Sequence, residues 1–224
     1  MEVILEAEPE SITLDTERTA LVVVDMQNAF CKKGGLFDYI GRLDEDRTKC
    51  MIKADKVVIS LFRRMGIKVI YLRMTYGLDV DVDLGPDSPY YWKESGLMLI
   101  RDNPELKGKF LTEGTWDWEI VDELKPSAED IVVNKSRFSG FVNTELDSIL
   151  KSNRMKYVVF TGLFTNICVE STLRDAFFHE YFPVLVSDAC GNTGPDYLQD
   201  ATVWNVTSVF GWVTTTENLT KAMK

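Results

Sequence analysis

The stretch "VVFTGLFTNICVESTLRDAFF", residues 158–178, reads as an apolar strand, a short turn carrying Thr165 and Asn166, and a helix with Cys168 in its first turn. A helix start offers unpaired N–H donors and a partial positive charge, which favour thiolate over thiol and can cradle an oxyanion. A cysteine used only for packing needs neither.

Four more runs resemble the strand half of this unit: "TALVVVDM" (19–26), "IKVIYLRM" (67–74), "DIVVNK" (130–135) and "FPVLVSDA" (182–189). Together with "KYVVFTG" (156–162) they are continuous apolar runs, the pattern of parallel strands buried on both faces. Between them the sequence predicts helices at about 46–65, 115–124, 143–152, 167–180 and 195–209, several opened by Thr, Asn, Asp or an early Pro. The alternation predicts an α/β fold, a three-layer sandwich with one sheet between two layers of helices. Residues 75–114, including "YGLDVDVDLGPDSPYYWKESG", break the rhythm and are expected to form a long loop excursion over one sheet edge. No repeat, low-complexity tract or linker divides the chain, so residues 1–224 are expected to form a single domain.

Composition narrows the partners. The net charge of −10 argues against a phosphate-backbone partner and against an anionic membrane, because both need clustered Lys and Arg. The N-terminal "MEVILEAEPESITLD" is acidic where a signal peptide would be basic and then apolar, and no later window is apolar enough to span a bilayer. A cytoplasmic location is expected. Cys31, Cys50, Cys168 and Cys190 are widely spaced and form no C-x-x-C pair, so free thiols are expected rather than a zinc ribbon or disulfide framework.

In open α/β sheets ligands bind beyond the carboxyl ends of the strands. Asp25 ends the first predicted strand, Lys135 ends the third, and Cys168 lies just past the fourth, so the three are expected to meet on one rim. Taken singly, each has a plainer role: Asp25 as a helix cap, Lys135 as a solvated strand-end cation, Cys168 as a small core residue. Together they suit nucleophilic chemistry. A thiol of ordinary pKa is mostly protonated at neutral pH and needs a base or a cationic neighbour. Histidine is excluded on geometry, since the single His179 would sit roughly 16 Å from Cys168 along one helix. Asp25 is then the candidate base, with Lys135 orienting it and stabilising the thiolate. One histidine also leaves no Ser-His-Asp triad and no histidine-rich metal site, so no metal or other cofactor is expected.

The segments "VVVDMQNAF", "VNKSRFSGFVNT" and "TGLFTNICVESTLRDAFF" resemble the three signature regions of the isochorismatase-like cysteine hydrolases, whose Asp, Lys and Cys triad falls on Asp25, Lys135 and Cys168. The resemblance runs from about residue 10 to the C-terminus. It is closest to the ureidoacrylate amidohydrolase branch of pyrimidine breakdown, on "PESITLD", "GPDSPYYWK", "SRFSGFVNTELDSILKS", "VESTLRDAFFHEYF" and "FGWV". It implies a six-stranded, mostly parallel sheet, a thioester intermediate, an oxyanion hole of the Phe164 and Cys168 backbone amides, and a cis peptide between Leu163 and Phe164. The histidine-rich metal motif of the nicotinamidase branch is missing here. Where the bacterial ureidoacrylate enzymes are expected to carry Asn and Tyr, this chain has Met74 and Phe138.

The implied activity is cysteine-dependent cleavage of a small ureido or carbamoyl amide, releasing ammonia or carbamate. Alternatives are biuret, triuret, N-carbamoyl amino acid or nicotinamide-like substrates. Two other classes remain: a binding protein on the same fold, which should have lost part of the triad, and a redox thiol, which normally needs a resolving cysteine nearby. Expected partners are a small amide substrate and further copies of the chain, as a dimer or tetramer. Candidate substrate contacts are Gln27 and Asn28 beside the aspartate, Tyr76, Tyr91, Trp92 and Lys93 in the excursion, and Arg137 and Phe138 past the lysine. Arg137 is the leading candidate for a substrate carboxylate, which its planar fork can bind bidentately. An ion pair with a nearby acid is its plainer role.

Overall fold

The computed structural model describes residues 1–77 and 85–224. The part of the excursion at 78–84 lies outside the described residues. The chain opens with an antiparallel ribbon, β1 (Glu2–Leu5) and β2 (Ile12–Asp15), then enters the main sheet at β3 (Thr19–Val24). Two single-turn helices follow, α1 (Asn28–Cys31) and α2 (Leu36–Tyr39), and then the long α3 (Glu45–Arg64) and β4 (Lys68–Met74). The excursion carries α4 (Pro89–Lys93) and α5 (Ser95–Asp102) before β5 (Ile131–Lys135). The second half runs α6 (Leu146–Ser152), β6 (Tyr157–Leu163), α7 (Glu170–Phe178), β7 (Phe182–Gly191), α8 (Tyr197–Asn205), β8 (Trp212–Thr214) and α9 (Thr216–Ala222).

The main sheet has six strands in the order β5-β4-β3-β6-β7-β8, and every neighbouring pair is parallel. From β3 the chain winds outward through β4 and β5, then returns to the other side of β3 and winds outward again. The reversal lies between β3 and β6, where such sheets open a crevice at the carboxyl ends. The apolar runs are continuous because both faces are covered. Leu21 and Val23 pack into the core under α3, with Val58 and Phe62, whereas Ala20, Val22 and Val24 pack with Leu146, Leu173 and Val206 on the opposite side. Among the described residues no helix is long and apolar enough to cross a membrane.

The sequence reading is corrected in four places. The ribbon was not foreseen, although Val3, Leu5, Ile12 and Leu14 alternate inward with exposed neighbours. Strand β8 is only three residues long, too short for a readable pattern. The helix expected at 115–124 is absent apart from a 3-10 turn at Asp122–Leu124, because Asp117 spends its carboxylate on the N–H groups of Leu36 (2.9 Å) and Leu111 (2.6 Å) and pins an irregular path. The helix expected from 167 begins at Glu170, after a turn of π-helix at Thr165–Val169 that holds Cys168.

Helix α3 buries Asp55 completely, and neither carboxyl oxygen has a hydrogen-bond partner. Burial pushes its pKa up to about 8, opposed by the Thr161 hydroxyl on β6. Between the ordinary carboxylate range and pH 8 the native state therefore holds a proton that the unfolded chain has released. Stability falls through that window by about 1.4 kcal/mol per pH unit from this group. Asp55→Asn is expected to be progressively more stable than wild type as pH rises from 5 to 8, read as a widening gap in urea midpoints. A gap that stays constant with pH would show that Asp55 is ionised in the native protein.

Candidate active site

Where β3 stops, Asp25 takes a left-handed backbone with φ 51°, which a non-glycine residue adopts only when its surroundings impose it. Its N–H still bonds to Leu72 O (3.0 Å), so the turn is anchored to the adjacent strand. Gln27 fixes the next step. Its amide nitrogen donates to Met74 O (2.9 Å) and Trp118 O (2.8 Å), and its amide oxygen accepts from Met74 N (2.8 Å). Asn28 donates to Trp116 O at 2.8 Å. Two of the predicted substrate contacts thus tie the end of β4 and the returning excursion to the rim, and neither lines the cavity beside Cys168.

Lys135, the last residue of β5, reaches across β4 to Asp25, with Nζ 2.6 Å from Oδ2. The two side chains are 0% and 2% exposed, so water does not screen the pair. Nζ also donates to Arg137 O at 3.2 Å and lies 3.8 Å from Met74 Sδ. The second oxygen of Asp25, Oδ1, is buried without a hydrogen-bond partner.

The nucleophile arm comes from β6. Gly162 has φ 108°, and a Cβ there would lie 2.2 Å from Val24 O, so only glycine lets β6 pass this close to β3. The Leu163–Phe164 peptide is cis. In the π-turn that follows, the Phe164 carbonyl accepts the N–H groups of Ile167 (2.9 Å) and Val169 (3.2 Å). Asn166 exchanges two hydrogen bonds with the Thr193 backbone, at 3.1 and 3.2 Å, and so shapes the turn. Thr172 locks it from below, donating to Cys168 O at 2.6 Å. Cys168 is 7% exposed and close enough to Asp25 and Lys135 for both to shift its pKa.

Burial acts against the preference for thiolate that the helix start was expected to give. Burial pushes the Cys168 pKa well up; Lys135 lowers it and Asp25 raises it further. Burial thus favours the thiol over the thiolate. Asp25 is raised above the ordinary carboxylate value by burial, with the Lys135 charge pulling it back. For Lys135 burial opposes the charge, but the attraction of Asp25 and Cys168 outweighs it and the pKa is raised.

Asp25 and Cys168 open onto a cavity of about 80 Å³. One wall is aromatic: Phe37 stacks on Phe164 at 4.6 Å and Phe30 meets both edge-on. Of the predicted contacts, Lys93 and Phe138 line this cavity. Tyr76 is buried and donates to Glu94. Tyr91 packs on Trp92, whose indole N–H bonds to Pro86 O at 2.9 Å. Arg137 donates to the Ser136 carbonyl and hydroxyl and sits over the Tyr90 ring. Sequence reasoning missed Phe30, Phe37, Arg42, Ser95 and Thr193 as lining residues. The two phenylalanines carry no mark in the sequence, Arg42 and Thr193 lie in irregular segments, and Ser95 is the first residue of α5. Among the described residues no group of three or more His, Cys, Asp or Glu side chains is placed to hold a metal ion.

The chain is 48% identical over 213 residues to the ureidoacrylate amidohydrolase RutB of Rhizobium rhizogenes, covering 95% of this chain and 86% of that one. Among solved structures, a cysteine hydrolase from Pseudomonas syringae pv. phaseolicola superposes with a TM-score of 0.77 at 27% identity, covering 93% and 95% of the two chains. An N-carbamoylsarcosine amidase from Thermoplasma acidophilum superposes with a TM-score of 0.66 at 30% identity, covering 89% and 97%. The model of the isochorismatase domain matches residues 19–218, from the first residue of β3 into α9, and so takes in the whole main sheet and all three rim residues. The chain belongs to the isochorismatase domain family.

Proposed function

We propose that the chain is an amidohydrolase that cleaves a small ureido amide of the ureidoacrylate type through a thioester on Cys168. The supporting observation is the buried Lys135–Asp25 pair, whose unpartnered carboxylate oxygen sits beside a protonated thiol at the end of a small cavity. Asp25 takes the Cys168 proton as sulfur attacks the ureido carbonyl, forming the C–S bond. The tetrahedral oxyanion is received by the N–H groups of Phe164 and Cys168. Collapse breaks the C–N bond, and the proton on Asp25 goes to the leaving nitrogen. Water, deprotonated by Asp25, then hydrolyses the thioester and returns the thiol. Lys135 stays charged throughout and keeps Asp25 aligned.

The 48% identity to a ureidoacrylate amidohydrolase favours ureidoacrylate itself. Biuret or triuret is the second reading, kept open because Met74 and Phe138 in the cavity wall lack the polar groups expected there in the ureidoacrylate enzymes. An ammonia-release screen against ureidoacrylate, biuret, triuret, carbamoyl amino acids and nicotinamide tests both. The highest kcat/KM is expected for ureidoacrylate, and a preference for nicotinamide would refute the ureido assignment.

The pH profile should carry the signature of the base. Asp25 must be ionised to act, and its pKa is raised by burial. kcat/KM is therefore expected to fall as pH drops through a pKa above the ordinary carboxylate range. A profile flat down to the value of an exposed aspartate would remove Asp25 from that role.

A further inference from the structure

The cavity has a cationic end that the mechanism leaves unused. Arg42, in the loop after α2, and Lys93, at the end of α4, both line it, and among the described residues neither has a carboxylate within ion-pair distance. Arg42 donates to the Ser95 hydroxyl at 3.0 Å, and Ser95 lines the same cavity. Its O–H thus accepts from the guanidinium and keeps its own hydrogen to donate. Nearby charges are otherwise engaged. Arg47, in the adjoining cavity, pairs with Asp44 and Asp196 and donates to Asn192. Glu94 accepts from the Tyr76 hydroxyl and the Leu97 N–H. Arg137, the leading candidate from sequence, turns to Ser136 and Tyr90 instead and does not line the cavity.

We propose that Arg42 and Lys93, with the Ser95 hydroxyl, bind the substrate's carboxylate and make the enzyme selective for ureido acids over neutral ureas. This deepens the amidohydrolase reading above and presupposes it. A carboxylate is attracted by Arg42 and Lys93 but not by the charge-balanced Lys135–Asp25 pair beside the thiol, so an anionic substrate is favoured in one orientation. Its acid end then points to Arg42, its flat middle lies along Phe30, Phe37 and Phe164, and its ureido carbonyl faces Cys168. The guanidinium fork suits bidentate binding, and Lys93 adds a point charge.

Kinetics of Arg42→Gln, Lys93→Gln and Arg137→Gln with ureidoacrylate and with biuret, together with alkylation of Cys168 by iodoacetate and iodoacetamide, test the assignment. For Arg42→Gln the ratio of kcat/KM for ureidoacrylate over biuret is expected to fall at least about tenfold, the loss residing in KM rather than kcat. Lys93→Gln should move the same ratio less. The rate ratio of iodoacetate to iodoacetamide should fall about threefold or more in Arg42→Gln, since only the first reagent is anionic. Equal losses on both substrates would make Arg42 merely structural, and a larger loss of the ratio in Arg137→Gln would move the site there; either result overturns the assignment. If wild type hydrolyses no carboxylated ureide, the substrate reading fails by itself. The alkylation ratio then decides: a fall in Arg42→Gln upholds the anion-binding end, and an unchanged ratio overturns it.

Discussion

Cys168→Ala is expected to abolish turnover, with kcat lowered by roughly 10⁵-fold or more, the scale seen when a covalent nucleophile is removed. The residue is nearly buried, but its sulfur contributes little packing volume, and Thr172 holds the turn through the Cys168 carbonyl, which alanine retains. The fold should therefore survive, as should substrate binding. Ammonia release measures the loss, and mass spectrometry of quenched wild-type enzyme should show the acyl adduct that the variant cannot form. Substantial residual hydrolysis in Cys168→Ala would sink the covalent mechanism.

The second large effect separates the two members of the buried ion pair. Asp25→Asn and Lys135→Ala should each lower kcat by about 10³-fold or more, because one removes the proton carrier and the other strands it. Both should also lose stability, about 3–5 kcal/mol, since each leaves a buried charge without its partner. Their thiols should move in opposite directions. Asp25 raises the Cys168 pKa and Lys135 lowers it, so Asp25→Asn should bring the thiol pKa down and Lys135→Ala should push it further up. Iodoacetamide needs a thiolate but no leaving-group proton. At neutral pH it should label Asp25→Asn faster than wild type and Lys135→Ala more slowly. An Asp25→Asn enzyme that hydrolysed substrate at close to the wild-type rate would reduce Asp25 to a structural cap.

The rim residues were readable because each interrupts an apolar run at the point where a strand ends. Charges are uncommon within buried parallel strands, so Asp25 after "LVVV" and Lys135 after "IVVN" stand out, and Cys168 is marked by the turn that follows β6. Gln27 has no such mark. Its amide is spent on main-chain groups of Met74 and Trp118, partners that only the folded sheet brings near, so a polar residue beside the candidate aspartate read as a substrate contact. Arg42 failed to register for the opposite reason. It lies in an irregular turn after a helix of four residues, and its importance comes from a cavity whose other walls are supplied by Ser95 and Phe164. The expected helix at 115–124 has suitable apolar spacing, but the Asp117 carboxylate is tied to the main chain of Leu36 and Leu111, and the Leu36 bond, 81 residues away in sequence, exists only in the folded chain.

The pairing of Lys135 with Asp25 spans 110 residues of sequence. No local segment can bring them together, so the ion pair forms only after the crossovers from β3 through β4 to β5 have closed. Cys168 needs a further crossover, back to the other side of β3. In a nascent or partly folded chain the thiol therefore has neither its cation nor its base, and behaves like any ordinary cysteine. The proposed hydrolytic competence would thus be acquired late, as a property of the completed sheet, since no fragment that the chain passes through during assembly brings Cys168 together with Asp25 and Lys135.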